Sequence, residues 1–441
     1  MKRIVLAILP AVIVLVVITP ICAQPGKTRP TAKVSSTAQE CLECHRDSTP
    51  GIVAQWGASA HARASVDCFS CHEAAPADPA AFDHNGRRIV VIVTPSYCAR
   101  CHKQEAAEFE RSHHSKAAQF IGSLDNMLGE VVEGGPAAAN GCRQCHGSEV
   151  RSLGSGKFDP ATWPNSGIGR VNPDGSRGSC AACHGRHAFS SAQARQPENC
   201  GKCHMGPDHP QAEIYAESKH GIQFRANIAQ MRLTSRSWVV GKDYSAAPTC
   251  STCHMGATST QKMTHDIGER ISFTLRPAIS IKLESWQKRR SAMQDVCSDC
   301  HASGWVENFY KQYEGTIDLY NEKFAKPSKT IMDNLYAASR LTRTPFDERI
   351  EWAYYELWHH EGRRARMGTA MMGPDFTQWH GFYEVAKHFY DEFVPEAELL
   401  LPGVTTDLLK NDYHRWKQGL TKEQIQEQLE FYRKRYEQLP Q

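Results

Sequence analysis

The sequence predicts a mainly α chain in two unlike parts: loops and short helices over residues 39–303, then a bundle of long helices over residues 304–441. Three observations carry this. The pattern Cys-x-x-Cys-His occurs eight times between Cys41 and His301 and takes 16 of the 17 cysteines. Beyond His301 there is no cysteine, and aromatic residues recur at spacings of three and four, the period of an amphipathic helix. Residues 147–179 are rich in Gly, Pro, Asn and Asp and read as a loop, with little elsewhere to suggest sheet.

Each motif sets two thiols three residues apart, with an imidazole beside the second. This is the attachment pattern of c-type haem: the thiols form thioethers to the vinyl groups and the histidine ligates the iron. The eight are Cys41/Cys44/His45, Cys68/Cys71/His72, Cys98/Cys101/His102, Cys142/Cys145/His146, Cys180/Cys183/His184, Cys200/Cys203/His204, Cys250/Cys253/His254 and Cys297/Cys300/His301. One copy could be a zinc site; eight copies point to an octahaem cytochrome c, whose work is electron chemistry. In so short a stretch, eight porphyrins replace much of the side-chain core.

The remaining cysteine, Cys22, falls in residues 1–23, where Lys2 and Arg3 precede an apolar run from Ile4 to Ile18. That segment reads as an export signal that takes Cys22 with it on cleavage. Export to a periplasm or equivalent compartment suits c-type attachment, which happens outside the cytoplasm. Residues 24–38, with Pro25, Gly26 and Pro30, read as a flexible linker. No later stretch reaches the roughly 18 apolar residues that span a bilayer, so no transmembrane anchor is expected in the mature chain. The net charge of +3 turns acidic once haem propionates are added, and nothing resembles a nucleic-acid surface. The loop at 147–179 is too polar for a core element; a loop this long in a compact domain is usually functional.

In the last part, one helix is expected from about Trp305 to Phe324. A second opens with Thr344 as N-cap, Pro345 at N1 and Asp347 at N3, and runs to about Met371. A third starts near Asp375 and ends before Pro395. The last opens with the capping box Thr421-x-x-Gln424 and ends near Tyr436. Most of the aromatics are expected to pack this bundle over the haem layer.

Of 21 histidines, 13 lie outside the motifs. If every iron held two imidazoles, eight of these would be distal ligands; an open catalytic site would need only seven. Local context favours His61, His113, His114, His187, His220 and His265. His84, His359 and His360 come next, and His359 joins the ligand set. His388 and His414 are expected on solvated helix surfaces. Asp208 and His209 stand apart. They follow motif six directly, and an acid beside an imidazole can transfer protons near an iron. The other reading, in which His209 is one more axial ligand and Asp208 orients it, stays open.

Together these features resemble the hydroxylamine oxidoreductase family of octahaem cytochromes c over nearly the whole mature chain. The resemblance is carried by the eight motifs and by the stretch from Thr162-Trp163-Pro164-Asn165 through Gly167-Ile168-Gly169-Arg170 to Asn172-Pro173-Asp174-Gly175-Ser176-Arg177-Gly178. Asp208-His209, His359-His360-Glu361-Gly362-Arg363-Arg364 and Trp379-His380-Gly381 complete it. It implies that the haem on Cys142, Cys145 and His146 is catalytic, with Asp208 and His209 on its distal side. The other seven would be bis-histidine haems that carry electrons. It also implies a homotrimer, a small nitrogen-oxide substrate, and a cytochrome c or a haem-bearing second subunit as redox partner.

In hydroxylamine-oxidising members, a tyrosine from a neighbouring subunit is bonded to the catalytic haem. The matching position here is Phe376, which has no hydroxyl. Tyr383, seven residues on and on the same helical face, is the rival and otherwise reads as a packing residue. A phenylalanine implies an uncross-linked haem, as in the reductive branch, which takes nitrite to nitric oxide or further to hydroxylamine and ammonia. Hydroxylamine or hydrazine oxidation at a cross-linked haem is the alternative. So, from another class, is a non-enzymatic electron conduit. Every motif ends in His, which argues against the Cys-x-x-Cys-Lys sites of multihaem ammonia-forming nitrite reductases.

Overall fold

The computed structural model describes residues 34–122 and 127–437. The expected export signal lies outside the described residues. The expected linker is described only at its end, where the first helix, Ser36–Ser48, already begins. The Ser35 hydroxyl accepts from the Ala38 N–H at 3.1 Å and donates to Asp67 at 2.7 Å, so side-chain capping orders the chain earlier than its polar composition suggested.

Through the motif part, short helices follow one another, joined by loops. A single helical turn sets residues three and four apart on one face, so both thiols and the imidazole of a motif share a side. Cys68–His72, Cys142–His146 and Cys250–His254 are such turns. Helices this short need caps. Asp67 with Ser70, and Thr249 with Thr252, form reciprocal capping boxes at the entrances of two of them. Among the described residues, sheet is limited to three two-stranded hairpins: Phe82–His84 with Arg87–Ile89, Ser152–Gly154 with Lys157–Phe158, and Phe273–Thr274 with Ile281–Lys282. The first turns on Asn85-Gly86, both at positive φ, a conformation that asparagine and glycine tolerate.

After His301 the chain forms three long rods. The first runs Ser303–Tyr320, Asn321–Ala325 and Lys326–Ala337 without a break, past the expected end at Phe324. The second runs Arg349–Tyr355, Glu356–Glu361 and Gly362–Ala370. Its cap is Glu348, paired with Glu351, and not Thr344 as expected. Thr342 ties back to Asp347 and Glu348 and keeps residues 342–348 in a loop. The third runs from Pro374–Thr377 to Val394–Leu400 and carries straight through Pro395. The π-helical segment Phe389–Phe393 just before that proline re-spaces the backbone bonds that a proline would break in a regular helix. The last helix, Lys422–Glu437, opens on the expected Thr421/Gln424 box.

The rods share an apolar core of Tyr320, Phe324, Ile331, Leu335, Ile350, Leu357, Phe389 and Phe393, all 2 % exposed or less. His414, expected in solvent, is fully buried against this core, with Nδ1 2.7 Å from the Tyr390 hydroxyl. His388, also expected in solvent, is mostly covered and held at 2.5 Å by Glu361. Outward polar spacing along a helix concealed both contacts.

Candidate haem-linked active site

The sixteen attachment thiols, alike in sequence, are not alike in the fold. Cys44, Cys101, Cys142 and Cys300 are exposed, whereas the other twelve are half-buried. At Cys44 the reason is helical rotation. The helix Ser36–Ser48 buries Ala38 and Leu42, and Cys44, two residues past Leu42, falls on the opposite side. Cys101 lies beyond the short helix Pro95–Cys98, in the turn where its N–H donates to the Cys98 carbonyl at 3.2 Å. That helix buries Pro95 and Tyr97, and the turn after it faces outward. Attachment needs a sulfur that a vinyl group can reach, so exposure of Cys44 and Cys101 is compatible with a thioether at each.

Six motif histidines face a second imidazole. The ring centres are 6.3 Å apart for His45 and His84, 6.3 Å for His72 and His187, and 6.1 Å for His61 and His102. They are 6.4 Å apart for His184 and His265, 6.0 Å for His114 and His204, and 6.1 Å for His220 and His301. Two metal–imidazole bonds of about 2 Å, with each ring centre roughly 1 Å behind its nitrogen, require about 6 Å. The separations therefore fit six-coordinate haem iron. Burial pushes His114 down to about 3 and His184 and His204 to about 4, which keeps these rings in the neutral form that binds metal. His113 meets the same turn as His254: its ring lies against Gly268, and His254 hydrogen-bonds the backbone at Ile267.

Of the distal candidates, His61, His114, His187, His220 and His265 each lie in one of these pairs. His84, left outside the ligand set, faces His45; its place in the Asp83-His84-Asn85-Gly86 hairpin gave no helical context to mark it. His359 is placed differently. Its ring stacks on Tyr355 at 4.3 Å, and its Nε2, the atom that would meet an iron, lies 3.2 Å from the Tyr355 hydroxyl. Tyr355 lies four residues back along the same rod, the spacing at which helix side chains meet.

Motif four is clasped by the long loop. The N–H of Ile168 donates to Cys145 at 2.9 Å and that of Gly169 to His146 at 3.1 Å. A side chain on Gly167 would sit 2.0 Å from the Gly147 nitrogen, so glycine is required for this approach. The loop is anchored from within. Arg170, 2 % exposed, donates to the Asn172 side chain at 2.8 Å and to the Asn165 carbonyl at 3.0 Å. Although polar, the loop thus buries Asn165, Arg170 and Asn172, because their hydrogen bonds are satisfied inside it.

Cys145 and Cys203 lie near enough to act on each other's ionisation, so motif four neighbours motif six. Motif six in turn neighbours motif seven through Cys200 and Cys250, and motif three neighbours motif five through Cys98 and Cys180. His209 lies close enough to Cys145 to act on it electrostatically, and its ring centre is 5.9 Å from that of His204. His209 Nδ1 is 2.9 Å from Asp208 Oδ1. The second rod completes the group: Arg363 Nη1 lies 3.5 Å from Asp208 Oδ2. Burial alone would raise Asp208, but His209, with His359 and Arg363, brings it below the ordinary carboxylate value. In the sequence Arg363 is one residue of the stretch His359-His360-Glu361-Gly362-Arg363-Arg364 with no role of its own; only the fold brings it to Asp208, 155 residues away.

Phe376 sits in the turn Pro374–Thr377 with its ring 5.5 Å from that of His380. Tyr383, read as a packing residue, is instead 51 % exposed, beside an exposed Trp379. The π-helical segment Gln378–Tyr383 turns it away from the core. No helix among the described residues is long and apolar enough to cross a membrane.

Two family profiles match. The one described as seven times multi-haem cytochrome CxxCH covers residues 174–345, and that of cytochrome c554 and c-prime covers residues 97–185. A curated relative from Kuenenia stuttgartiensis, a probable nitrite reductase-hydroxylamine oxidoreductase fusion protein, is 26 % identical over 351 residues. The match takes in 64 % of this chain but only 35 % of that protein, so the chain spans about a third of its length. Among solved structures, a hypothetical multiheme protein is similar with a TM-score of 0.74 at 25 % identity, over 84 % of this chain and 96 % of that one. The reducing HAO-like protein complex Kustc0457/Kustc0458 of Kuenenia stuttgartiensis shares the fold, with a TM-score of 0.63 at 21 % identity over 84 % of this chain and 87 % of that one. Facing histidines at iron-ligating separation, repeated haem motifs and these likenesses agree: the chain is a multihaem c-type cytochrome, similar to hydroxylamine oxidoreductase-like proteins.

Proposed function

We propose that the chain reduces nitrite, to nitric oxide or further, at a haem held by Cys142, Cys145 and His146, with His209 as proton donor and Asp208 as its partner. Seven other motifs carry electron-transfer haems, with His84, His187, His61, His265, His114, His113 and His220 as distal ligands in motif order. That assignment would use seven histidines on seven motifs, and His146 would hold the haem at which the substrate binds. The observation that carries the reading is the Asp208–His209 pair, joined at 2.9 Å beside Cys145.

Bound at these motifs, c-type haem supplies single-electron transfer and an iron that accepts nitrogen oxides as ligands. Conversion of nitrite to nitric oxide consumes one electron and two protons and releases water, so the protein must hold protons beside a leaving oxygen. On this reading His209 gives them, and Asp208, 2.9 Å from its Nδ1, steadies the ring. The loop 165–170 keeps motif four fixed while protons move. An extracytoplasmic location, a homotrimer and a cytochrome c or haem-bearing second subunit as electron donor belong to the same reading.

The test is direction. With a chemical reductant, the purified protein should consume nitrite faster than it oxidises hydroxylamine with a chemical oxidant, and its ferrous spectrum should show no red-shifted cross-link band. The exposure of Tyr383 favours one second reading, hydroxylamine oxidation at a haem bonded to Tyr383 of a neighbouring subunit. A haem-bearing peptide containing Tyr383 would establish that reading and remove ours.

A further inference from the structure

Residues 359–364 have no part in the reaction so far, yet they surround Asp208. The π-helical segment Glu356–Glu361 ends there and a regular helix, Gly362–Ala370, begins. A side chain on Gly362 would lie 2.2 Å from the buried Tyr320 hydroxyl, so glycine lets the turn settle against the first rod. Arg363 then points at the site from a fixed base. Its Nε donates to the Arg276 carbonyl at 2.8 Å, its guanidinium lies 5.2 Å from the Trp358 ring centre, and its side chain is 10 % exposed. Nη1 reaches Asp208 Oδ2 at 3.5 Å, while Asp208 Oδ1 meets His209 at 2.9 Å. The carboxylate is thus held by both oxygens, which sets its plane, and that plane sets the direction of the His209 ring. A lysine has one nitrogen and could not serve the Arg276 carbonyl and Asp208 together.

We propose that Arg363 is the positioning residue of the proton-donating pair, acting through Asp208 to aim His209 at the substrate. This rests on Asp208 and His209 being the catalytic pair. The groups that face Asp208 are His209 from its own segment and His359, His360 and Arg363 from the second rod. Loss of the Arg363 charge therefore moves Asp208 upward, and the acid limb of the pH–rate profile should move to higher pH.

The experiment is a double-mutant cycle on the haem-loaded full chain, read by nitrite turnover. Arg363→Gln should lower kcat on the order of tenfold, the usual scale for a residue that orients a reacting group, with KM for nitrite little changed. In the Asp208→Asn background the same substitution should cost nothing more, because its target is gone. Arg363→Lys should fall between the two in kcat and keep most of the acid limb in place. Equal losses in both backgrounds, or an Arg363→Gln protein with unchanged kcat and acid limb, would overturn the proposal. If Arg363→Gln fails to assemble, as judged by its low-spin haem spectrum, Arg363→Lys takes its place in the cycle under the same criterion. An Asp208→Asn protein of full activity would fail the pair itself, a result separate from failure of Arg363 alone.

Discussion

Between residues 34 and 301 about half of the buried side chains are polar, with Asp67, Asn165, Arg170, Asn172 and Thr252 among them, whereas the rods beyond bury Phe324, Ile331, Leu335, Leu357, Phe389 and Phe393. Apart from the cluster around Phe224, Met231 and Trp238, the first region has few large apolar groups to pack. It relies on capped single turns, satisfied polar loops and imidazoles that face each other at metal-ligating separation. The rods hold together by apolar burial. The difference teaches where each kind of information sits: a covalent attachment site needs five consecutive residues, while a packed core and a proton-handling pair need residues far apart in sequence.

The largest effect that would break this comparison is a core truncation in the rods. Phe389→Ala removes a side chain with no exposed surface, packed 5.5 Å from Phe324, and should cost about 3–5 kcal/mol of stability. Chemical denaturation of the loaded protein measures it, and the low-spin haem spectrum should stay as it was. A spectrum that collapses with the substitution would show that the two regions do not hold themselves by different means.

A smaller effect sharpens the comparison from the other side. His209→Ala and Asp208→Asn should each lower nitrite turnover on the order of 10²-fold, as expected on removal of a general acid–base, with stability little changed. His209→Ala that instead erases one bis-histidine signal would make His209 the ligand opposite His204 in place of His114. Both rings stand about as far from His204, at 5.9 and 6.0 Å.

Sequence made the first region legible where chemistry is local. Cys-x-x-Cys-His marks each attachment turn by itself, and the pair Asp208-His209 is adjacent in the chain. The motif says nothing of how deep its thiols lie, so the exposure of Cys44 and Cys101 could not be read from it. His61, His114, His187, His220 and His265 were readable because small or polar neighbours leave an imidazole free to reach inward. His84 was harder to read, since a hairpin turn with Asn85-Gly86 looks like exposed loop. In the rods, periodicity found the helices, but not that π-helical segments let them run through Pro327 and Pro395. It also missed Arg363 and the burial of His414, because both depend on which rod meets which neighbour. Phe376 and Tyr383 share a helical face on paper; the segment Gln378–Tyr383 alters the rotation between them, which the 3.6-residue period does not describe.

The central claim is that one haem, on Cys142, Cys145 and His146, is open to substrate and the others are not. Carbon monoxide titration of the fully reduced protein tests it most directly, since only an iron with a free position takes the gas. The account expects one carbon monoxide per chain, lost when Cys142 and Cys145 are replaced by Ser. No binding at all, or binding that survives those replacements, would contradict it.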